Sequence, residues 1–209
     1  TSPSMRHLLL CRCHLGRKGA SNNEGDGPAL THVEVDGAYF GGHVRPENRK
    51  EDRKDRRLKE HQTGKRRVVV AFRQRKGRTL PFVTRTEAEG VALANENVDR
   101  MASMSADEAS HWDMLHAGWA VNRINHSLAY SADGACTNQA ESYSSRLRRM
   151  VEGQHHHVSP QHLHQYANQA AWLENNHRLS NGALARKVVA NAMDAPVSRN
   201  WKGYWQRAA

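Results

Sequence analysis

Three acidic side chains stand where their neighbours could put them to chemical use: Asp36 in HVEVDGAYFGG, Asp107 in MSADEASHW and Glu141 in TNQAESYSSRLRR. Asp36 ends an alternating apolar run, the pattern of a strand that delivers a carboxylate to the sheet surface. Asp107 follows a short, weakly apolar stretch and opens a helical pattern. Glu141 lies in an amphipathic run, with Arg148 two turns further along the same face. Mg2+ is a hard cation that prefers oxygen ligands. A pair of such ions, roughly 4 Å apart, stabilises both the attacking and the leaving oxygen of a phosphodiester. Two strands and a helix carrying carboxylates can hold that pair, and in a basic chain this chemistry points to DNA cutting and joining.

The charge balance points the same way. The chain has 209 residues and a net charge of +10, from 31 Lys and Arg against 21 Asp and Glu, with an isoelectric point near 9.9. Between Arg45 and Arg78 there are fifteen basic and five acidic residues, a difference equal to the whole net charge. A polyanionic partner is the expectation, with Arg45, Arg49, Lys50, Arg53, Lys54, Arg56, Arg57, Lys65, Arg66 and Arg67 as candidate DNA contacts. The competing reading is a solvated basic loop that only aids solubility.

Hydrophobic residues make up 38% and the mean hydropathy is −0.83, enough for one sizeable core with appendages or for two small domains. Cys11, Cys13 and Cys136 form no disulfide framework, which suits a reducing cytoplasm, and Cys11-x-Cys13-His14 is too tightly spaced for a zinc ribbon. No apolar run approaches the ~20 residues of a membrane span, and Leu8–Leu10 is too short for a signal-peptide core.

The elements that must position the acids follow from periodicity. Residues 1–31 read as an irregular leader or the remnant of an N-terminal module. His32–Phe40 alternates as a strand, Lys65–Gln74 contains the buried-strand run Val68–Phe72, and Thr79–Arg85 follows a turn at Gly77. These three are close enough in sequence for an antiparallel meander. Residues 45–64 read as a long polar loop. Thr86–Val98 reads as a helix with Thr86 as N-cap and Glu89 at its third position. Met101–Ala106 is a short strand, Ser110–Gly118 helical, Trp119–Ile124 a strand, and Tyr130–Thr137 a loop over the site. Asn138–Val151 is an amphipathic helix with Asn138, Glu141, Ser145 and Arg148 on one face. A further helix runs from Pro160, at its first helical position, to about His177, and a last one covers Asn181–Met193. The order predicts an α/β fold: an RNase H-like mixed sheet flanked by helices, with extra C-terminal helices. The catalytic domain is expected over 32–179 and a C-terminal helical extension over 180–209.

VEVDGAYFGG, ADEASHWDML and NQAESYSSRLRRMVEGQHHHVSPQHLHQYANQAAW resemble the corresponding segments of bacterial insertion-sequence DDE transposases with an ISXO-like transposase domain. The resemblance spans roughly residues 32–179, and the KGYWQR ending is similar too. It implies Asp36, Asp107 and Glu141 as metal ligands; on the two-ion chemistry, with Mg2+ or Mn2+, Asp36 would bridge both ions and Asp107 and Glu141 would each favour one. It also implies Arg148 as the basic residue seven after the glutamate, and Asn138 as an alternative third ligand. Arg148 and Arg149 would contact DNA. The implied activity is cleavage and strand transfer at insertion-sequence ends, by a multimer assembled on transposon ends and target DNA, in a cytoplasmic, nucleoid-associated setting without a membrane.

Two positions depart from the family pattern. Gly37 stands where relatives tend to carry an acid, and Ser144 replaces a bulky aromatic, which in a buried site would leave a cavity costing on the order of 3 kcal/mol. Relatives also carry an N-terminal end-recognition module, so a truncated copy is expected. Two other functions stay open: a metal-dependent nuclease of the same fold, and a non-catalytic DNA-binding remnant. Each residue has a plainer role to set beside the functional one. A strand-end Asp is commonly a turn residue, Glu108 could stand in for Asp107, and Glu141 with Arg148 could form an ordinary exposed face. His155, His156, His157, His162 and His164 read as a polar turn and helix surface rather than as zinc ligands. Tyr166, Trp172, Trp201, Tyr204 and Trp205 read as packing aromatics.

Overall fold

Val68–Phe72 is buried on both faces, as a run of β-branched and aromatic side chains requires when both sides of a sheet are covered. It forms the middle of β2 (Arg67–Gln74) in a computed structural model that describes residues 32–41, 49–54, 58, 61, 64–124 and 136–195. β1 (His32–Phe40) pairs antiparallel with β2, and β2 pairs antiparallel with β3 (Thr79–Thr84), the expected meander. β4 (Ser103–Asp107) and β5 (Ala120–Ile124) add to the other edge of β1 in parallel, giving the order β3-β2-β1-β4-β5.

Alternation along β1 and β2 splits the core in two. Val33, Val35, Val68, Val70 and Phe72 face one side, where they meet Met104, Ala94, Trp112 and Leu115. Ala38, Phe40, Val69 and Ala71 face the other, against Tyr143, Leu147, Leu163 and Ala167. The first side is covered by α1 (Glu89–Asn97) and a 3-10 helix, Ser110–Ala117. The second is covered by α2 (Asn138–Met150) and α3 (Leu163–Asn176). This is the expected α/β arrangement, a mixed five-stranded sheet flanked by helices, consistent with an RNase H-like fold.

Several local expectations need correction. α1 starts at Glu89, after a tight turn in which Gly90 N–H donates to Glu87. Thr86 is therefore not its N-cap, although Glu89 accepts hydrogen bonds from the Thr86 N–H and hydroxyl, both at 3.2 Å. The helical reading of 110–118 holds, as a 3-10 helix over Ser110–Ala117 with Trp112 and Leu115, three apart, as its buried pair. Pro160 sits in a turn ahead of α3 and not in its first turn, since the helix begins at Leu163. A single π-helical turn, Val151–His155, follows α2.

The chain divides into two units at Asn175–Asn176. The sheet and its flanking helices belong to the first. The second holds α4 (Asn181–Asp194), whose N-cap Ser180 accepts from the Ala183 N–H at 3.4 Å. The expectations for residues 1–31, Arg45, Arg56, Arg57, the loop over 130–135, Trp201, Tyr204 and Trp205 lie outside the described residues.

Candidate active site

The parallel strands β1 and β4 each carry one of the two aspartates. His32, Val33 and Glu34 lie opposite Ser103, Met104 and Ser105, and Asp36 and Asp107 each follow two residues after the last pair. The ladder between these strands ends at Glu34, so both acids lie at the carboxyl end of the parallel pair, the edge at which open α/β sheets bind ligands. Asp36 is a mid-strand residue of β1, opposite Ala71, and Asp107 is the last residue of β4, not the first of a helix. On this face His32 clamps the strands, its ring nitrogens each 2.8 Å from the Ser103 and Ser105 hydroxyls. Burial, with the charge of Arg75, holds the His32 imidazole below its ordinary value against the opposing pull of Glu34, which favours the neutral ring at neutral pH.

α2 brings the third acid. Its period buries Ala140, Tyr143, Ser144 and Leu147 against the sheet, and Glu141 falls one step round from that stripe. Glu141 acts electrostatically on Asp36, and so do Arg148 and Asp107. Burial is the main cause that pushes the Asp36 carboxyl above its ordinary value. The Ser144 hydrogen bond opposes it, Glu141 adds to it, Arg148 opposes and Asp107 adds. Glu141 Oε1 accepts from the Thr137 hydroxyl at 2.9 Å, and Asp107 Oδ1 accepts from the Ala109 N–H at 3.1 Å. Asn138 is exposed in the first turn of α2, and Glu108 is exposed just past the end of β4.

Ser144 proves to be part of the site. It is buried, and its hydroxyl donates to Asp36 Oδ2 at 2.7 Å. Gly37 also has a structural counterpart: a Cβ there would lie 2.5 Å from Glu87 Oε1 and 2.7 Å from the Glu87 Cδ. The turn before α1 thus brings a carboxylate into the space that a side chain at 37 would take. Glu87 Oε2 lies 2.7 Å from His111 Nε2. Burial pushes the Glu87 carboxyl up, His111 opposes this, and the fields of Asp107 and Asp36 add to it. The sequence signal for Glu87 was only an acid near a strand end, with nothing to tie it to Gly37.

A second acid missed by the sequence reading is Glu34. Its side chain is fully buried, two residues before Asp36 on the same strand face. Oε2 accepts from the backbone N–H groups of Gln139 at 2.7 Å and Ala140 at 3.2 Å, in the first turn of α2. Oε1 meets Arg75 Nε at 3.3 Å and the Cys136 thiol at 3.4 Å. Thr137, the N-cap residue of α2, makes no side-chain cap. A carboxylate from β1 thus performs the capping that the helix's own sequence does not.

Among the described residues no three His, Cys, Asp or Glu side chains converge closely enough to enclose a metal ion by themselves. That is compatible with Mg2+, which keeps several waters and commonly takes one or two carboxylates together with substrate phosphates. The donor set is all oxygen, and Asp36 is a half-buried carboxylate within the field of Glu141 and Asp107, an arrangement that a divalent cation would relieve. The residues present fit such an ion.

Of the candidate DNA contacts, Arg49, Lys50, Arg53, Lys54, Lys65, Arg66, Arg148 and Arg149 are exposed and Arg67 is half-buried. Arg66 stacks over the Tyr39 ring at 4.2 Å, and Arg67 donates to the Gly64 and Arg66 carbonyls at 2.8 and 2.7 Å. His155 packs on Tyr166 with ring centroids 4.5 Å apart. No helix among the described residues is long and apolar enough to cross a membrane.

No curated protein matches the chain. The family model for the ISXO2-like transposase domain matches residues 28–175, which takes in the whole sheet, α2 and nearly all of α3. With Asp36, Asp107 and Glu141 carried inside that span, the chain belongs to the family of ISXO2-like transposase domains.

Proposed function

We propose that this domain cuts and joins DNA strands by metal-dependent phosphoryl transfer, with Asp36, Asp107 and Glu141 as the carboxylates that hold two Mg2+ or Mn2+ ions. The observation that carries this reading is that Asp107, Glu141 and Arg148, from β4 and α2, all act electrostatically on Asp36 of β1, just past the paired residues of two parallel strands. Bound divalent ions would supply Lewis-acid stabilisation of the attacking and leaving oxygens. The chain's own residues do the rest. Ser144 holds Asp36 in one orientation through Oδ2, and Thr137 does the same for Glu141. Asn138 stands in the same first turn as an alternative oxygen donor. Arg148, exposed two turns along α2, offers a planar donor fork to a DNA phosphate near the carboxylates. The exposed basic residues, Arg49 to Lys54 and Lys65 to Arg67 together with Arg149, supply sequence-independent attraction to the backbone. Transposon ends and target DNA are the substrates this reading assigns, and self-association on paired ends accompanies it.

The test is cleavage and joining of labelled DNA bearing candidate transposon ends in Mg2+ or Mn2+, with Asp36→Ala and Glu141→Ala alongside. Metal-dependent products that both substitutions abolish support the carboxylate site, and joined strands make the reaction a transposition. Cleavage without joining would make the domain a nuclease. Salt-sensitive binding without products in all three proteins would refute catalysis.

A further inference from the structure

Glu34 is not among the carboxylates assigned to the metal ions, yet its side chain accepts hydrogen bonds from two backbone N–H groups in the first turn of α2. It comes from the strand that carries Asp36 and grips the helix that carries Glu141. The two grips are 105 and 106 residues apart in sequence, so no local preference creates them. The carboxylate sits on the positive end of the helix dipole, where a negative charge is favoured, and a fully buried charge is tolerated only when its oxygens are satisfied. Here both are: Oε2 by two N–H groups, Oε1 by Arg75 and the Cys136 thiol. Arg75 also reaches Cys136 Sγ at 2.8 Å, so strand β1, the turn after β2 and the approach to α2 are tied at one point.

We infer that Glu34 is a positioning residue for the third acid: by fixing the first turn of α2 on β1, it sets the placement of Glu141 and Asn138 relative to Asp36 and so the cation affinity of the centre. Glu141 lies one residue beyond the held Ala140 N–H, and its own N–H donates to Thr137 within the same turn at 2.9 Å. A shift of this turn therefore carries Glu141 with it. A glutamine at position 34 keeps the volume but turns one oxygen into an amide NH2, which then faces either the Gln139 and Ala140 N–H groups or the Arg75 guanidinium, all of them donors. This inference rests on the carboxylate reading of the site, and its test separates the two.

The measurement uses the full chain with Glu34→Gln, and with Asp36→Asn as reference. Mn2+ dissociation constants are determined at a temperature where circular dichroism shows every protein folded, and amide exchange is followed at Gln139 and Ala140. Glu34→Gln should lose protection at these two amides and weaken Mn2+ binding about tenfold, the lower end of the effect of residues that orient metal ligands. Lost protection with unchanged Mn2+ affinity would overturn the inference and leave Glu34 a purely structural cap. Retained protection would overturn it as well. If Asp36→Asn binds Mn2+ as tightly as the parent chain, the carboxylate reading itself fails, independently of Glu34.

Discussion

Glu174 near the end of α3 offers a sharp test of how the sheet holds its helices. Its carboxylate meets Arg73 Nη2 of β2 at 3.3 Å, with the two side chains 12% and 7% exposed, and it also pairs with Arg146 of α2, which is 52% exposed. Arg73 reaches the Thr79 hydroxyl and Asn175 Oδ1 as well, so one buried guanidinium joins β2, β3 and α3. Glu174→Gln removes the counter-charge from a buried cation, a change that costs about 3–5 kcal/mol when a partner is removed outright. The glutamine still offers one acceptor, which sets the expectation at the lower end, about 3 kcal/mol. Arg146→Gln removes a half-exposed partner, for which surface pairs predict under about 1 kcal/mol. In urea unfolding, Glu174→Gln should therefore lower the unfolding free energy by about 2 kcal/mol more than Arg146→Gln at equal slope. In a thermal scan its Tm should fall by roughly 6–12 °C, at about 2–4 °C per kcal/mol for a chain of this size. Replacing Arg73 and Glu174 together by Met should recover about half the loss, since an apolar pair carries no desolvation cost. Equal losses for the Gln variants at 174 and 146, within about 0.5 kcal/mol, would refute the argument that burial decides between the two pairs.

Three further outcomes are expected. The Asp36 carboxyl is raised chiefly by burial, so its contribution to stability is fully present below its unfolded pKa and is lost as pH rises through the higher folded one. In chelator, the stability advantage of Asp36→Asn over the parent should grow as pH climbs above the ordinary carboxylate value of 3.8, and urea midpoints that differ equally at acid and neutral pH would contradict this. Gly90→Ala would place a Cβ 2.9 Å from the Trp112 ring and 3.1 Å from Val70 Cγ1, an overpacking expected to cost about 1–3 kcal/mol by denaturant unfolding; a neutral or stabilising result would show that the Trp112 ring yields. Neutralising Lys50, Arg53, Lys54 and Lys65 together should flatten the dependence of log affinity for duplex DNA on log salt by up to about 3.6 units, near 0.9 for each phosphate no longer neutralised, and an unchanged slope would remove these residues from the interface.

Much of this protein was readable from local pattern. Two-residue alternation marked His32–Phe40, the run Val68–Phe72 marked a strand covered on both sides, and helical spacing put Glu141 and Arg148 on one face of α2. These features are local because side-chain direction follows the backbone period, and burial follows hydrophobicity along it. The motifs around Asp36, Asp107 and Glu141 were likewise continuous stretches, so the family resemblance needed no coordinates. Pro160 was misread because a proline just ahead of a helix fits more than one local conformation. The interactions that complete the site were not in any local window. Ser144 meets Asp36, Glu34 holds α2, and Glu87 fills the space over Gly37 because chain segments distant in sequence close on one sheet edge. In the sequence, Ser144 was a missing aromatic and Gly37 a missing acid, and nothing singled out Glu34. Periodicity assigns a residue to a face, but which distant group meets it there depends on strand register and helix packing, and only the folded chain determines those.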